Sequence, residues 1–455
     1  MQNFKESVLA HLKERRVDEL KRVLNATDDL EIINVMDELS NDELVLVYRL
    51  LGKDKALDIF EQLDTNDQQK LLNSFTEEKA IEVIRELAPD DRVRLLDELP
   101  AVVTKKMLAA LSASDRADTN LIMGYEPQTA GRLMTTEYVR LKRDWTAKVA
   151  LEKLRTIAKE KETIYTLYVT DEARKLEGVI SLRELLIASE EALVEDIMQD
   201  SIVKVSTDTD QEEVAKTLQK LDLLAIPVVD KEERLVGIIT VDDAMDILED
   251  EATEDILSSA GLGDITNSET IRSEVLVEGS LVRIWKARIP FLIVTLVAGI
   301  LAASVIEQFE EALEAVAVIA IFIPVIMDMG GTIGTQSSTI FTRGMLLGHI
   351  QLKNIWKHVL KEVMVGLSLG MILGVVSGLV AYFWQGIPAL GVALGLSLIA
   401  TMTLAAFLGF MVPYVLFKLN IDQATGTGPL ITSIKDITGL TIYFYLASYF
   451  LGHLM

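Results

Sequence analysis

The chain has 455 residues, with 69 Asp and Glu against 44 Lys and Arg, a formal net charge of −25 and no cysteine. The acidic excess lies before residue 281, where 61 acids face 35 bases, while the remainder holds 8 acids and 9 bases. These numbers exclude disulfides, thiolate metal sites and cysteine nucleophiles. They also argue against nucleic acid as a partner, because such a surface repels phosphate and attracts cations, although solubility alone would also account for the charge.

Residues 1–130 are predicted to form an acidic, all-α domain. The N-terminus leads into charged residues without an apolar signal core, which predicts that this part stays in the cytoplasm. Apolar residues recur at helical spacing in the segments that begin at Leu57, Ile81 and Val93, and each segment ends at a Pro, Asp or Asn break. A loose tandem repeat of this kind predicts a small superhelix of stacked helices.

Residues 131–248 change to a mixed α/β pattern with an internal duplication, at about 134–190 and 198–248. In each copy a strand ends in a similar motif, Gly178-Val-Ile-Ser181 in the first and Gly237-Ile-Ile-Thr240 in the second. An acid then opens a helix, and the hydroxyl residue before it suits an N-cap. The pattern predicts a pair of small α/β domains.

Residues 249–280 are predicted to be an acidic connecting helix, interrupted at Gly261-Leu-Gly263 and placed to transmit movement. Residues 281–455 then contain five apolar segments, at about 288–306, 314–345, 359–384, 387–417 and 427–452. Each exceeds the roughly 20 residues that span a bilayer. Bases mark the loops that are predicted to lie inside, which puts the C-terminus outside: Arg283, Lys286, Arg288, Arg343, Lys353, Lys357, Lys361 and Lys418.

Two of these segments carry polar groups inside otherwise apolar sequence. Asp328 and a run of glycines and hydroxyl residues interrupt the second, and Asp436 interrupts the fifth. Ionisable groups in a membrane interior usually face the protein or a watery pathway. Glycines there permit close helix approach or a local break whose carbonyls face an ion, and Gly428-Pro429 is predicted to be such a break. The pattern indicates a cation permeation path.

Three motifs in this order resemble those of MgtE-type magnesium transporters. The resemblance covers nearly the whole chain, from the helical N domain through a pair of CBS domains and a connecting helix to five membrane helices. The motifs are Pro324 with Gly330-Gly331-x-x-Gly334-x-Gln336-Ser337, Asp422 with Gly428-Pro429 and Asp436-Ile-Thr-Gly439, and Asp242-Asp243-Ala-Met-Asp246 with Glu251-Ala-Thr-Glu254-Asp255.

The resemblance implies a multi-pass protein of the inner cell membrane that passes Mg²⁺ through a homodimeric pore and is not an enzyme. It implies that cytoplasmic Mg²⁺ closes the pore by binding the N and CBS domains. The implied pore residues are Asp436, Thr432, Gly428, Thr332 and Asp328. The implied sensor residues are Asp58, Asp90, Asp222, Asp243, Asp246, Glu251, Glu254 and Asp255.

The chain departs from the family pattern at three places. Thr332 stands where the family usually has Asn, Thr335 stands where it often has a second Asn or a Thr, and Asp328 adds a carboxylate nearby that could compensate. Arg94 stands where the family has a second acid near Asp90. Selectivity for Mg²⁺ over Co²⁺ or Mn²⁺ therefore stays open at this point. Softer ions favour His or sulfur ligands; the histidines after residue 281 fall in loops or at the terminus, whereas Met327 and Met329 keep this alternative in play.

CBS pairs often bind adenosine nucleotides, which makes ATP a candidate ligand. Arg183 is placed to contact a phosphate and Glu184 stands where an Asp is expected at the ribose, while Leu223 replaces the expected aromatic residue. Two other classes are disfavoured. A membrane metalloprotease needs zinc ligands such as His-Glu-x-x-His, and no pair of the 4 histidines has that spacing. A purely structural membrane protein would not need an acid in its last span.

Overall fold

The computed structural model describes residues 2–13, 16–36, 39–63, 65–97, 99–262, 275–277, 279–419 and 426–452. Asp422 and residues 263–274 of the predicted connecting segment lie outside these ranges. The chain divides into two units, Met1–Glu249 and Asp250–Met455.

Short amphipathic helices build the first part of unit one, around a core that includes Leu20, Leu44 and Phe60. Polar caps fix where these helices begin; Ser40 and Glu43, for example, form a capping box at one of them. The helices are α1 Gln2–Lys13, α2 Val17–Ala26, α3 Asp29–Met36, α4 Asn41–Leu50, α5 Lys53–Gln62, α6 Thr65–Ser74, α7 Glu77–Glu86, α8 Pro89–Asp97, α9 Ala101–Ala110 and α10 Ala113–Met123.

A hydrogen bond that recurs at a fixed spacing connects successive layers of the helical repeat. Three side chains near helix ends each donate to a backbone carbonyl 25 residues further along the chain. The bonds join Asn25 Nδ2 to the Leu50 carbonyl at 3.0 Å, Arg49 Nη2 to that of Ser74 at 2.8 Å and Arg85 Nη2 to that of Ala110 at 2.5 Å. Each bond satisfies a carbonyl at a helix end and so ties one layer of the stack to the next.

Two three-stranded sheets follow, as the duplication predicts. The strand orders are β1-β2-β3 and β4-β5-β6, and each sheet has one parallel and one antiparallel pair. The antiparallel pair of each sheet has a register shift near the end of its central strand, at Val169/Thr170 in the first and Val228/Val229 in the second. The strands are β1 Arg140–Leu141, β2 Thr166–Thr170, β3 Leu176–Ser181, β4 Val205–Ser206, β5 Ala225–Val229 and β6 Leu235–Thr240. The helices are α11 Ala130–Leu133, α12 Ala147–Ile157, α13 Leu182–Ile187, α14 Val194–Ile197, α15 Gln211–Leu221 and α16 Val241–Ser259.

The two copies pack against each other at their glycines. A Cβ on Gly178 would lie 2.5 Å from Sδ of Met198, and one on Gly237 would lie 2.6 Å from Sδ of Met134. The methionine that begins each copy therefore packs on the last strand of the other. This reciprocal contact explains the Gly-Val/Ile-Ile motif and makes the pair one body.

Long helices dominate unit two: α17 Leu281–Gln308, the short α18 Glu310–Ala315, α19 Ile323–Leu346, α20 Ile355–Gln385, α21 Pro388–Lys418 and α22 Thr427–Leu451. Each of the five predicted segments contains most of one long helix, although the second was predicted from residue 314 and α19 begins only at Ile323. Within the part of the chain that the structure describes, four stretches, which include α17, α19, α20 and α21, are long and apolar enough to cross a membrane. The fifth, α22, has 25 residues; that it spans stays a prediction.

Helices α20 and α21 meet along a glycine seam formed by Gly374, Gly378, Gly391 and Gly395. A Cβ on Gly374 would lie 2.6 Å from the carbonyl oxygen of Gly395, and one on Gly378 would lie 2.6 Å from that of Gly391. The two backbones are thus in direct contact, as small residues permit between membrane helices.

Candidate functional site

Helix α19 carries an exposed polar stripe, which we define as Asp328, Thr332, Thr335, Gln336 and Thr339. Spacings of three and four residues place these side chains on one face of the helix. The hydroxyl of Thr335 donates to the carbonyl of Gly331 at 2.6 Å. The single chain therefore presents polar groups along a helix that is otherwise apolar enough to lie in a membrane.

The opposite face of α19 is buried against the other helices. A Cβ on Gly409 of α21 would lie 2.5 Å from Cβ of Ser337, whose hydroxyl donates to Oε1 of Glu362 on α20 at 2.7 Å. A Cβ on Gly334 would lie 2.7 Å from Ile431 of α22. Buried contacts of this kind hold the helix in one orientation and keep the polar stripe outward.

Asp436 lies on α22 beside this helix. Its side chain is 27% exposed, but its Oδ1 atom is buried. This atom lies 2.5 Å from Nζ of Lys435. Thr432 lies one turn earlier, and its hydroxyl donates to the carbonyl of Gly428 at 2.8 Å. A Cβ on Gly331 would lie 3.8 Å from Cγ2 of Thr432, so the predicted pore residues of α19 and α22 lie on adjacent helices.

The predicted helix break at Gly428-Pro429 is wrong, and of the two roles left open for the paired glycines the structure has the close approach and not the break. The paired glycines do not interrupt α19, which is continuous from Ile323 to Leu346. Gly428-Pro429 lies in the first turn of α22 and does not break it, because proline is tolerated where the backbone N–H has no intrahelical partner. The Gly428 carbonyl is engaged by a hydroxyl rather than left for an ion.

The C-terminal end of α16 contacts the start of α22 within unit two. The N–H of Gly426 donates to the carbonyl of Ser258 at 2.8 Å. A Cβ on Gly261 would lie 2.9 Å from Cγ of Pro429, and φ of Gly261 is +75°, a conformation that favours glycine. The acidic helix therefore ends against the helix that bears Asp436.

Acidic residues of α8 and α16 form a cluster in unit one. Asp90 and Asp91 lie in the first turn of α8. Arg94, one turn later, lies 2.6 Å from Oδ1 of Asp91 and 3.7 Å from Oδ2 of Asp246. Oδ1 of Asp90 is buried, with no hydrogen-bond partner among the described residues. The hydroxyl of Thr240 donates to Oδ2 of Asp243 at 2.7 Å.

Burial and mutual repulsion make these carboxyl groups hard to ionise. Burial, followed by the charges of Asp243 and Asp91, raises the pKa of Asp90 well above its usual value. Burial raises the pKa of Asp243 to about 6, although Thr240 and Arg94 oppose the shift. Burial and the charges of Asp243 and Asp91 raise the pKa of Glu162 to about 7. The surrounding residues therefore do not fully stabilise the charged forms of these carboxyl groups.

The other predicted sensor residues are more dispersed. Asp58 is exposed, and burial, followed by the charges of Asp91 and Asp58, raises the pKa of Glu61 to about 7. Asp222 is the exposed, left-handed C-cap of α15, with φ of 51°. Glu251, Glu254 and Asp255 lie on the part of α16 that belongs to unit two. Among the described residues, no three His, Asp or Glu side chains converge closely enough to hold a metal ion.

The two residues predicted to bind a nucleotide differ in how accessible their side chains are to a ligand. Arg183 is exposed. The carboxylate of Glu184 accepts hydrogen bonds from the backbone N–H and hydroxyl of Ser181, both at 2.8 Å, and from Gln199 at 2.7 Å. Glu184 thus caps α13, and a nucleotide would have to compete with these donors.

Known protein families match three regions of the chain. The MgtE divalent cation transporter profile matches residues 323–446, the MgtE intracellular N domain profile matches 27–128, and the CBS domain profile matches 130–191 and 194–250. The magnesium transporter MgtE of Thermus thermophilus is 37% identical over 337 residues, which cover 74% of this chain and 73% of that protein. The chain belongs to the MgtE family.

Further relatives agree with this membership. The magnesium transporter MgtE of Bacillus subtilis is 35% identical over 347 residues, 76% of this chain and 75% of that one. A crystal structure of the cytosolic domain of the Mg²⁺ channel MgtE in complex with ATP is similar at 37% identity and a TM-score of 0.51, covering 53% of this chain and 99% of that chain. The predicted family and fold class are confirmed, and the relatives are named as transporters.

Sequence reasoning missed Glu162, Glu61 and Glu362. Glu162 and Glu61 belong to the electrostatic environment of the sensor candidates. No motif marks them, because in an MgtE chain with 61 acids before residue 281 a single Glu is ordinary. Glu362 did carry a signal, since an acid in the first turns of a predicted membrane helix is unusual.

The raised pKa values predict an unusual pH dependence of stability. A carboxyl group whose folded pKa is raised stabilises the fold most below its ordinary pKa of about 4, and this contribution is lost as pH rises through the folded value. Without Mg²⁺, we expect the melting temperature of the full chain to fall between pH 5.5 and 8, and Mg²⁺ to raise it more at pH 8. Calorimetry at both pH values with Asp243→Asn, which should flatten the trend, checks this.

Asp200→Asn removes an exposed acid and is the control. A metal-free melting temperature that rises between pH 5.5 and 8, or a trend that Asp200→Asn flattens as much as Asp243→Asn, would contradict the assignment.

Proposed function

We propose that the chain forms a homodimeric, Mg²⁺-selective channel lined by α19 and α22, which cytoplasmic Mg²⁺ closes. The observation that carries the proposal is the polar stripe of α19, exposed in the single chain beside the helix that bears Asp436. Polar groups are not stable against lipid. A second copy, related by a two-fold axis, would cover the stripe and place two such faces around one pathway.

The chemistry of these faces suits a hydrated dication. Mg²⁺ gives up its water reluctantly and prefers oxygen ligands, and the stripe supplies hydroxyl, amide and carboxylate oxygens. The methionines that kept softer ions in play pack with apolar clusters: Met327 and Met329 both contact the core around Phe322 and Tyr443. The Co²⁺ or Mn²⁺ alternative therefore loses the sulfur ligands that favoured it.

Closure would use the acidic cluster and the contact at the end of α16. Several weakly bound Mg²⁺ ions would neutralise carboxylates such as Asp243 and Asp90, whose ionisation the compact arrangement disfavours. A ligand shifts such an equilibrium only through its different affinity for the two states. The Ser258–Gly426 contact supports transmission to α22. Because no three carboxylates converge in the described structure, ion binding would require them to move.

The proposal extends to orientation and to a nucleotide. The basic loops support a topology in which the soluble domains lie in the cytoplasm and the C-terminus lies outside the cell membrane. The similar cytosolic domain was crystallised in complex with ATP, so ATP is proposed to bind at the CBS pair, with Arg183 contacting a phosphate.

A cation series on the reconstituted full chain tests the proposal. We expect uptake into vesicles with Mg²⁺, weaker uptake with Mn²⁺ and Co²⁺, and none with Ca²⁺, together with a detergent-corrected mass of two chains. Equal uptake of Co²⁺ and Mg²⁺ would overturn the selectivity. A mass of one chain with transport retained would overturn the dimeric pore.

A further inference from the structure

Lys435 is a charged side chain held inside unit two. Its side chain is 4% exposed, and among the charged side chains of residues 279–419 and 426–452 whose burial the structure describes, no other is as fully buried. A charge at membrane depth is strongly unfavourable unless it is paired. Its position therefore needs partners that stabilise it.

The structure supplies two partners for the ammonium group. Nζ lies 2.5 Å from Oδ1 of Asp436 and also donates to the backbone carbonyl of Met327 on α19. A carbonyl oxygen has two lone pairs, so Met327 can accept this bond in addition to its helical one. The ammonium thus links the acid of α22 to the backbone of α19.

The paired glycines of α19 make room for this side chain. A Cβ on Gly330 would lie 2.6 Å from Cδ of Lys435, and one on Gly331 would lie 3.2 Å from its Nζ. A larger residue at either position would displace the lysine. The glycine pair, for which the sequence left a close helix approach or a local break open, forms the groove along which Lys435 reaches Asp436.

The pairing changes the charge that the acid presents. A carboxylate and an ammonium 2.5 Å apart are together neutral, so a cation that approaches Asp436 meets a carboxylate that is already compensated. To bind there, the cation must compete with the ammonium. A site that permits conduction must bind an ion weakly enough to release it, and a tethered competitor lowers affinity without removing the carboxylate.

We infer that Lys435 is a tethered counter-ion of Asp436, which competes with the permeating divalent cation and thereby sets the affinity of the site. This inference rests on the proposed function, since it names a specificity-determining residue of the same pathway. The Lys435 ammonium keeps Asp436 compensated between ions, and it retains the Met327 carbonyl as its partner when a cation takes the carboxylate.

The test is uptake by the reconstituted full chain, with Mg²⁺ varied on the face opposite the soluble domains. We expect Lys435→Met and Lys435→Gln to lower the half-saturating Mg²⁺ concentration by about tenfold or more, as loss of a close counter-charge implies. The maximal rate should fall, because the ion leaves more slowly. Lys435→Arg, which keeps the charge, should retain a half-saturation near that of the parent.

Lys353→Met is the matched control, because it removes an exposed lysine from the loop between α19 and α20; its half-saturation should equal that of the parent. A purely structural role for Lys435 would lower the rate without raising the affinity. If both neutral variants elute as the parent does and their half-saturation is unchanged, the inference is overturned. The proposed function fails separately, if transport survives loss of the Asp436 carboxylate.

Discussion

Replacing Asp436 with alanine is expected to reduce Mg²⁺ conduction by about a hundredfold or more, since a barrier raised by about 2.7 kcal/mol slows passage by that factor. In the proposed dimer this change removes two facing carboxylates from the pathway. It also leaves the ammonium of Lys435 uncompensated beside the route of a cation. The measurement is Mg²⁺-dependent current or uptake by the reconstituted variant, at protein amounts matched to the parent.

Two further variants separate charge from shape. Asp436→Asn keeps the size of the side chain and should weaken conduction strongly, because an amide cannot offset a dication. Thr332→Asn, on the exposed stripe of α19, restores the residue usual in the family and should preserve conduction. An Asp436→Ala protein that elutes as the parent does and conducts equally well would show that the acid is not part of the pathway.

Neutralising Asp243, Glu251, Glu254 and Asp255 together is expected to leave the proposed channel conducting at high internal Mg²⁺, where we expect the parent to close. These acids all lie on α16, whose C-terminal end meets α22. Without them, Mg²⁺ has fewer carboxylates to bridge and cannot stabilise the compact state. The measurement is current at internal Mg²⁺ concentrations on the order of millimolar, the range of weak oxygen-ligand sites.

Mg²⁺ is expected to protect residues 1–280 of the parent from protease, and this protection should be lost in the same variant. A charge-matched control neutralises Glu160, Glu172, Glu191 and Asp200, which are exposed acids of the first CBS copy and its surroundings. This control should close normally. Normal closure in the α16 variant, or equal loss of closure in both proteins, would place gating elsewhere.

Secondary structure that follows a periodic pattern could be predicted from the sequence, whereas contacts between distant segments could not. The duplicated sheets follow from two copies of one strand motif, and each long apolar run became a helix because its backbone groups are satisfied within the segment. The bond from Lys435 to Met327 spans 108 residues. Nothing in either local sequence indicates it, so the close approach that the glycines permit could be predicted but not the lysine that occupies it.

The burial and the partners of charged side chains could not be predicted from the sequence either. Asp90 and Asp243 were candidate sensor residues from the family motif, but their raised pKa values depend on burial between α8 and α16. Arg94 was recognised as a departure. That its guanidinium lies between Asp91 and Asp246 required the fold, because a side chain's partners are set by packing rather than by its neighbours in sequence.

The glycine seam between α20 and α21 fixes these two helices against each other. Their backbones are in direct contact at Gly374–Gly395 and Gly378–Gly391, with no side-chain layer between them that could shear, so we expect the pair to move as one body. A bulkier residue in the seam would wedge them apart along their length.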